Sequence, residues 1–325
     1  MLKYISILLD SSSTSYCHYD NECATRSLLP LEELKAAIVF CMKQNLTIQF
    51  VYPDYELPQE YHDVIESIDH VKIMPADAAL VAEADVVVCN GCSQLDAVQN
   101  RQKIYILRTT KAELFAHVAD VKSALSRCLR LNVVITDVDT FCDADYDTYK
   151  GVLQSLADEL LILYTSGRMP QLNLLTDRMM LDRMYNCGAG DTIITLAPDA
   201  RFYVCPAFYY EKEDADFGSG PSRFSIGSLS EGVNIPNAQM YKLDHAPICR
   251  TCDAYQCKRC VWINRRLTYE LNTPGHEQCV VAHLERNASR KLLEAIRRHS
   301  NFAPEISIPE IDYLDPFDNV NKYKF

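Results

Sequence analysis

Residues 249–260 read CRTCDAYQCKRC, two CxxC pairs separated by four residues. A further cysteine, Cys279, follows after 18 intervening residues, and Cys187 and Cys205 stand upstream. The short turn of a CxxC pair lets both thiols converge on one point, where a bound metal lowers the thiol pKa and keeps the ligands deprotonated. Seven cysteines in one region therefore indicate a metal centre.

Three interpretations of this cysteine run compete. Zinc takes four thiolates in a tetrahedron and paired CxxC units are typical of it, but zinc ribbons usually separate the pairs by about 15–20 residues. Iron–sulfur clusters are held by runs of cysteines with two-residue gaps, in which the last cysteine often serves a second cluster. Free buried thiols are the third alternative. The spacing favours iron–sulfur clusters and leaves zinc open.

The composition of the chain restricts the class of protein to which it can belong. The chain has 325 residues, 48% of them hydrophobic and 23% charged, which excludes disordered and collagen-like classes. Its net charge of −12 argues against nucleic acid as a partner. Neither a signal peptide nor a window of about 20 apolar residues is evident. We therefore expect a cytoplasmic protein of about two domains, without a membrane partner, whose thiols are kept reduced.

Short apolar runs alternate with helical patterns over residues 1–165. The predicted strands are Tyr4–Leu9, Thr47–Tyr52, Val71–Met74, Asp85–Cys89, Lys103–Leu107 and Asn132–Thr136. One helix is predicted to follow Pro30. Another is predicted to begin with a capping box at Thr110 and Glu113 and to continue to Leu125. This alternation predicts an α/β domain with a covered parallel sheet, either barrel-like or open.

The regular alternation of strand and helix patterns stops after about residue 187. Two short strands are predicted at Thr192–Leu196 and Arg201–Val204. An exposed loop is predicted at Glu211–Ser222 and a long helix at about Val280–His299. The tail, residues 301–325, is rich in Pro and aromatic residues, and we expect it to pack along the body of the protein.

The stretch from Cys187 to Cys279 resembles a SPASM domain, the auxiliary iron–sulfur domain of radical SAM peptide and protein maturases. The matching features, in order, are Cys187, the turn Pro198-Asp199-Ala200, Cys205-Pro206, Gly227-Ser228-Leu229-Ser230-Glu231-Gly232, the four-cysteine run and Cys279. Ala200 stands where that family has a turn glycine, so the turn must avoid the left-handed conformation or tolerate strain. The last two gaps of the run are also one residue shorter than is usual in the family.

The resemblance implies two 4Fe–4S clusters. One would be held by Cys249, Cys252, Cys257 and Cys279. The other would be held by Cys187, Cys205 and Cys260, with an open iron, a non-cysteine ligand or a distant cysteine in the fourth place.

The loop after the first predicted strand lacks the CxxxCxxC motif with which radical SAM enzymes bind their catalytic cluster. It holds Cys17 and Cys23 with five residues between them and no third cysteine. The first domain therefore resembles a radical SAM barrel that has lost this cluster, and SAM is not expected as a cofactor. The combination is similar to the CXXX-repeat peptide maturase family, whose members occur with radical SAM partners and Cys-rich precursor peptides.

These observations predict a degenerate radical SAM-like partial (β/α) barrel at residues 1–180 and a SPASM-like iron–sulfur domain at 181–300, followed by the tail. The implied function is that of an accessory maturase, which acts with a radical SAM partner on a Cys-rich precursor peptide. Two alternatives stay open. One is an active radical SAM enzyme with an atypical cluster held by Cys17, Cys23 and a distant ligand. The other is a zinc-binding interaction module.

Three further features have structural interpretations that we prefer to functional ones. Cys89 and Cys92 form a CxxC pair after a strand and are expected to be a loop with a buried thiol rather than a redox site. The acidic residues between Asp137 and Asp147 are expected to cap a helix. The arginines of the C-terminal helix, Arg286 among them, are expected to form a solvated face.

Overall fold

The computed structural model describes residues 1–21, 23, 25–184, 187–211 and 221–310. The chain divides into two compact units, which consist of Met1–Val88 with Gly188–Lys242, and of Cys89–Cys187 with Leu243–Phe325. Most of the loop predicted at Glu211–Ser222 and the tail beyond Glu310 lie outside the described residues. The division into domains at 1–180 and 181–300 stays a prediction.

The described residues form an α/β fold with a nine-stranded, mostly parallel sheet, which confirms the predicted fold class. The strands are β1 (Tyr4–Leu8), β2 (Thr47–Val51), β3 (Val71–Pro75), β4 (Val86–Asn90), β5 (Ile104–Thr109), β6 (Arg130–Ile135), β7 (Gln171–Leu172), β8 (Ile193–Leu196) and β9 (Phe202–Tyr203). A separate hairpin pairs β10 (Gly227–Ser228) with β11 (Gly232–Val233).

The helices of the described residues lie between and after these strands. They are α1 (Leu31–Gln44), α2 (Gln59–Ile65), α3 (Lys111–Ala116), α4 (Val118–Leu125), α5 (Asp143–Thr165), α6 (Thr176–Met180), α7 (Pro206–Tyr210), α8 (Val261–Thr268) and α9 (His276–Arg297). Among them, none is both long and apolar enough to cross a lipid bilayer.

In the first unit, consecutive strands are neighbours. Strand β1 pairs in parallel with β2, β2 with β3, and β3 with β4. Strand β8 joins the other side of β1, again in parallel, and β9 follows it antiparallel. Ile5, Ile7 and Leu8 of β1 are fully buried, as expected for a central strand with both faces covered. Parallel strands in chain order are the arrangement of a singly wound β/α fold.

In the second unit, β5 pairs in parallel with β6 and β6 with β7. The two longest helices, α5 and α9, pack against each other. Helix α5 buries a stripe that includes Tyr149, Leu156 and Leu160, while α9 buries residues on most of its circumference. A helix that is buried almost all round belongs to the core of a unit, and α9 is therefore the element on which the cysteine-rich loop is built.

The helix predicted from Thr110 to Leu125 is broken in two, and its capping box is incomplete. The Thr110 side chain accepts a hydrogen bond from the backbone N–H of Glu113, as predicted. The Glu113 carboxylate instead accepts hydrogen bonds from Cys92 N, at 2.6 Å, and from the Thr109 hydroxyl, at 2.8 Å. The chain leaves the helical conformation at His117, between α3 and α4.

The backbone conformation at two turns of the SPASM-like segment bears on which residue can stand there. Ala200 adopts a left-handed φ of 59°, so the turn tolerates the strain that a glycine would avoid. Gly227 has a φ of 128°, and a Cβ there would lie 2.0 Å from the carbonyl oxygen of Gly232 on the partner strand. Glycine is thus required at position 227 for the hairpin to close.

Candidate metal centre

Four of the seven predicted ligands line one cavity in the second unit. They are Cys249, Cys252, Cys257 and Cys279, the set assigned to a single cluster by the resemblance. The first three come from the cysteine run and the fourth from the first turn of α9, where Cys279 N donates to Gly275 O. Cys249 and Cys279 are buried, and Cys252 and Cys257 are partly buried. The fold therefore brings together side chains separated by 30 positions in the sequence.

Two turns of the loop direct backbone N–H groups at sulfur. Ala254 N lies 3.4 Å from Cys252 Sγ, and the backbone N–H of Arg259 donates to Cys257. In both cases the donor is two residues after the cysteine. Arg259 adopts a left-handed φ of 46° in its turn. Hydrogen bonds from N–H groups to sulfur favour the thiolate over the thiol.

Burial favours the neutral thiol over the thiolate. It raises the pKa of Cys257 to about 12 and that of Cys249 to about 11, and it also raises the pKa of Cys252. The Arg259 guanidinium, which is 1% exposed and lines the cavity, lowers the Cys249 pKa in part. These thiols are neutral on their own at pH 7, so binding of a cation by the thiolates releases protons.

An ion cluster at Asp253 fixes the loop to two helices. Asp253 Oδ2 accepts hydrogen bonds from Nη2 and Nε of Arg286 on α9, at 2.7 and 3.0 Å. Arg178 of α6 donates from Nε to the Asp253 carbonyl oxygen at 2.6 Å and stacks on the ring of Tyr255. Both guanidinium groups are buried, with 2% and 0% of the side chain exposed. The expectation that Arg286 belongs to a solvated face is wrong, because this arginine holds the cysteine loop.

His283 is a cavity residue that the sequence analysis missed. It lies on α9 four residues after Cys279 and is 2% exposed. Its Nε2 is 3.5 Å from Cys252 Sγ. Burial lowers its pKa to about 4. The i, i+4 spacing to a predicted ligand is the signal that points to it, because residues four apart share one face of a helix.

Glu285 is a buried carboxyl group next to the cysteine loop. Its oxygens accept hydrogen bonds from the Tyr149 hydroxyl at 2.8 Å and from the Gln256 side-chain amide at 3.3 Å. Burial raises its pKa to about 7, although both hydrogen bonds oppose the shift. Glu285 is therefore protonated in the native protein at pH values where an exposed glutamate is ionised.

This pKa predicts a pH-dependent stability. Between the ordinary value of 4.5 and about pH 7, the unfolded chain releases a proton that native Glu285 keeps, so the free energy of unfolding falls as pH rises. Relative to Glu285→Gln, which stays neutral, the wild type should lose roughly 3 kcal/mol across this window and little above it. Urea unfolding of both proteins at pH 5 to 8 measures the difference. The exposed Glu60→Gln provides the control, and a pH-independent difference at Glu285 would contradict the prediction.

The three remaining predicted ligands are placed differently. Cys187 N donates to the carbonyl oxygen of Lys258 at 3.0 Å, so its backbone lies against the cysteine run. Cys260 ends that run as the N-cap of α8. Cys205 belongs to the first unit, where it is the N-cap of α7. Their assignment to a second cluster stays a prediction.

Within the part of the chain that the structure describes, no three His, Cys, Asp or Glu side chains are arranged as a finished metal-binding group. The thiol cavity is nevertheless suited to a metal centre by its donor set. Four thiols face one enclosed space, two turns supply N–H groups to sulfur, and a buried guanidinium lies alongside. Both a 4Fe–4S cluster and a zinc ion take four thiolates, so the donor set fits either.

The loop after β1 has a different chemistry. It reads DSSSTS from Asp10, and Ser13 Oγ donates to the Val51 carbonyl oxygen at the end of β2, at 2.7 Å. Cys17 and Cys23 follow and are both exposed. A hydroxyl group, that of Ser13, thus packs against the end of β2.

The CxxC pair at Cys89 and Cys92 has the properties of a buried loop. Burial raises the pKa of Cys89 to about 12 and that of Cys92 to about 11, opposite to the activation of a redox thiol.

The acidic stretch caps helices, as expected. Asp137 Oδ1 accepts from Lys111 N at the start of α3. A hydrogen bond from the Lys111 side chain lowers the pKa of Asp145 to about 2.

Comparison with solved structures finds the same fold. The chain is similar to native anSMEcpe with bound AdoMet, with a TM-score of 0.57 at 10% identity over 91% of this chain and 100% of that chain. For anSMEcpe with bound AdoMet and the Cp18Cys peptide the TM-score is 0.60, at 11% identity over 91% and 99% of the two chains. With the Kp18Cys peptide it is 0.56, at 11% identity over 93% and 99%.

No protein-family model matches the chain, and no curated protein matches it by sequence. The structural likeness shows a radical SAM/SPASM-like fold and confirms the fold that the resemblance implied. At this level of identity it shows the fold alone, not a particular member of that group.

Proposed function

We propose that this chain is an accessory maturase of ribosomally synthesised peptides. It binds auxiliary 4Fe–4S clusters and acts with a radical SAM partner on a Cys-rich precursor peptide. One observation carries the proposal: Cys249, Cys252, Cys257 and Cys279 line a single cavity in a chain whose fold is that of anSMEcpe. In that protein the fold accommodates both AdoMet and a peptide.

In this mechanism, the chain's own residues build and protect the site. Cys249, Cys252, Cys257 and Cys279 would hold a cluster, which supplies electron transfer or an iron that binds substrate thiolates. The Asp253 ion cluster fixes the loop between α6 and α9, and Ala282 and Met184 shield the cavity on its apolar side. These apolar side chains would keep solvent away from a cluster held in the cavity.

The proposal predicts binding of both partners. Full-length tagged chain, purified anaerobically, should retain a radical SAM maturase co-expressed with it, and retention should increase when the Cys-rich precursor peptide is present. Absence of the maturase from the complex, with and without peptide, would contradict the accessory role.

AdoMet chemistry is assigned to the partner because the loop after β1 offers Cys17 and Cys23 but no third cysteine. Chemically reduced, iron-loaded chain should therefore form no 5′-deoxyadenosine from AdoMet above a protein-free control. A Cys17→Ala/Cys23→Ala variant should behave the same. Product that disappears in this double variant would instead support an active radical SAM enzyme with an atypical cluster.

A further inference from the structure

His283 lies on α9, as Cys279 does, and its ring reaches a sulfur atom in the thiol cavity. The two residues are four apart, so both project from the same face of the helix. Cys279 belongs to the proposed ligand set, whereas nothing in the cysteine pattern of the sequence includes a histidine.

The contact that His283 makes is specific. Its Nε2 lies 3.5 Å from Cys252 Sγ, within hydrogen-bonding reach for sulfur, and the imidazole is 2% exposed. A thiolate that holds a metal can only accept a hydrogen bond. The neutral imidazole would therefore carry its proton on Nε2 and donate a hydrogen bond from there to the Cys252 sulfur.

We propose that His283 is a positioning residue for the proposed cluster, which it serves by donating a hydrogen bond from Nε2 to the Cys252 sulfur. The inference rests on the proposed iron–sulfur function and adds a role for this residue within it. One-electron reduction makes the cluster and its sulfur ligands more negative. A donor to a ligand sulfur therefore stabilises the reduced state more than the oxidised state, and the reduction potential rises.

The test compares His283→Leu, which removes the donor, with His283→Gln, which keeps an N–H group, in the full chain purified anaerobically. Iron and sulfide should stay at wild-type content in both. At the solution potential that half-reduces the wild type, His283→Leu should show a ratio of reduced to oxidised cluster at least about threefold lower, the effect of losing one hydrogen bond. The ratio in His283→Gln should lie between those of the wild type and His283→Leu. The exposed His299→Leu, just beyond α9, is the matched control and should leave the ratio unchanged.

A measurement without substitution protects the test against a variant that does not fold. In wild-type protein grown with ¹⁵N-histidine, pulsed EPR of the reduced cluster should show a weak nitrogen coupling, as expected for a hydrogen bond to sulfur. A strong coupling that is absent from labelled His283→Leu would make His283 a direct ligand, and no coupling would remove the contact, so either overturns the proposal. An unchanged ratio in His283→Leu would do so too. Wild type without iron and sulfide would mark failure of the underlying function, before any variant is compared.

Discussion

A Cys257→Ala variant should lose about four iron and four sulfide per chain, the content of one 4Fe–4S cluster. Cys257 lines the cavity together with three other predicted ligands and receives the backbone N–H of Arg259. Three thiolates with an alanine in the fourth place no longer complete this coordination. Iron and acid-labile sulfide, measured per chain after anaerobic purification, give the result directly.

The control for this loss is Cys128→Ala. Cys128 is also a buried thiol of the second unit, 1% exposed, and burial raises its pKa to about 11, but it lies outside the cavity. Its removal should leave iron and sulfide at the wild-type level. Equal metal content in Cys257→Ala and the wild type would show that the ligand set is misassigned.

The second large effect is expected at Asp253. Its carboxylate lies between two buried guanidinium groups, with Oδ2 2.7 Å from Arg286 Nη2 and 3.6 Å from Arg178 Nη2. Asp253→Ala leaves both cations buried without this partner, and breaking a buried pair in this way costs about 3–5 kcal/mol. The free energy of unfolding in urea should fall accordingly, with the asparagine variant between alanine and wild type.

Asp147→Ala is the matched control for that prediction. Asp147 pairs with Lys150 at 2.7 Å on the surface of α5, with 80% of its side chain exposed, and such pairs contribute about 0–1 kcal/mol. If Asp253→Ala unfolded at the same urea concentration as Asp147→Ala, the ion cluster would not be what fixes the cysteine loop.

The fold was predictable because its signals are local. The six predicted strands of residues 1–165 are present within about two residues of their predicted bounds, since each is a run of Val, Ile and Leu bounded by polar residues. The incomplete capping box was not predictable, because the Glu113 carboxylate accepts a hydrogen bond from Cys92 N, 21 residues away in the chain. Tertiary contacts of this kind override local capping patterns.

The four cysteines that line the cavity were named from the sequence. The cysteine pattern drew attention to Cys249, Cys252, Cys257 and Cys279, and the resemblance assigned these four to one cluster. The groups around them were not evident. Arg286 follows the pattern of a solvated arginine, and only the fold shows that Asp253 reaches it. Glu285 likewise reads as a surface glutamate until its hydrogen bond from Tyr149, 136 residues away, is known.

Under the proposed function, the thiols of this chain hold iron and inorganic sulfide. Full-length protein, purified without oxygen, should contain about eight iron and eight sulfide per chain if both predicted clusters form, and about four of each if only the Cys249, Cys252, Cys257 and Cys279 site is filled. Zinc in place of iron, or no metal with all thiols free to react, would contradict it.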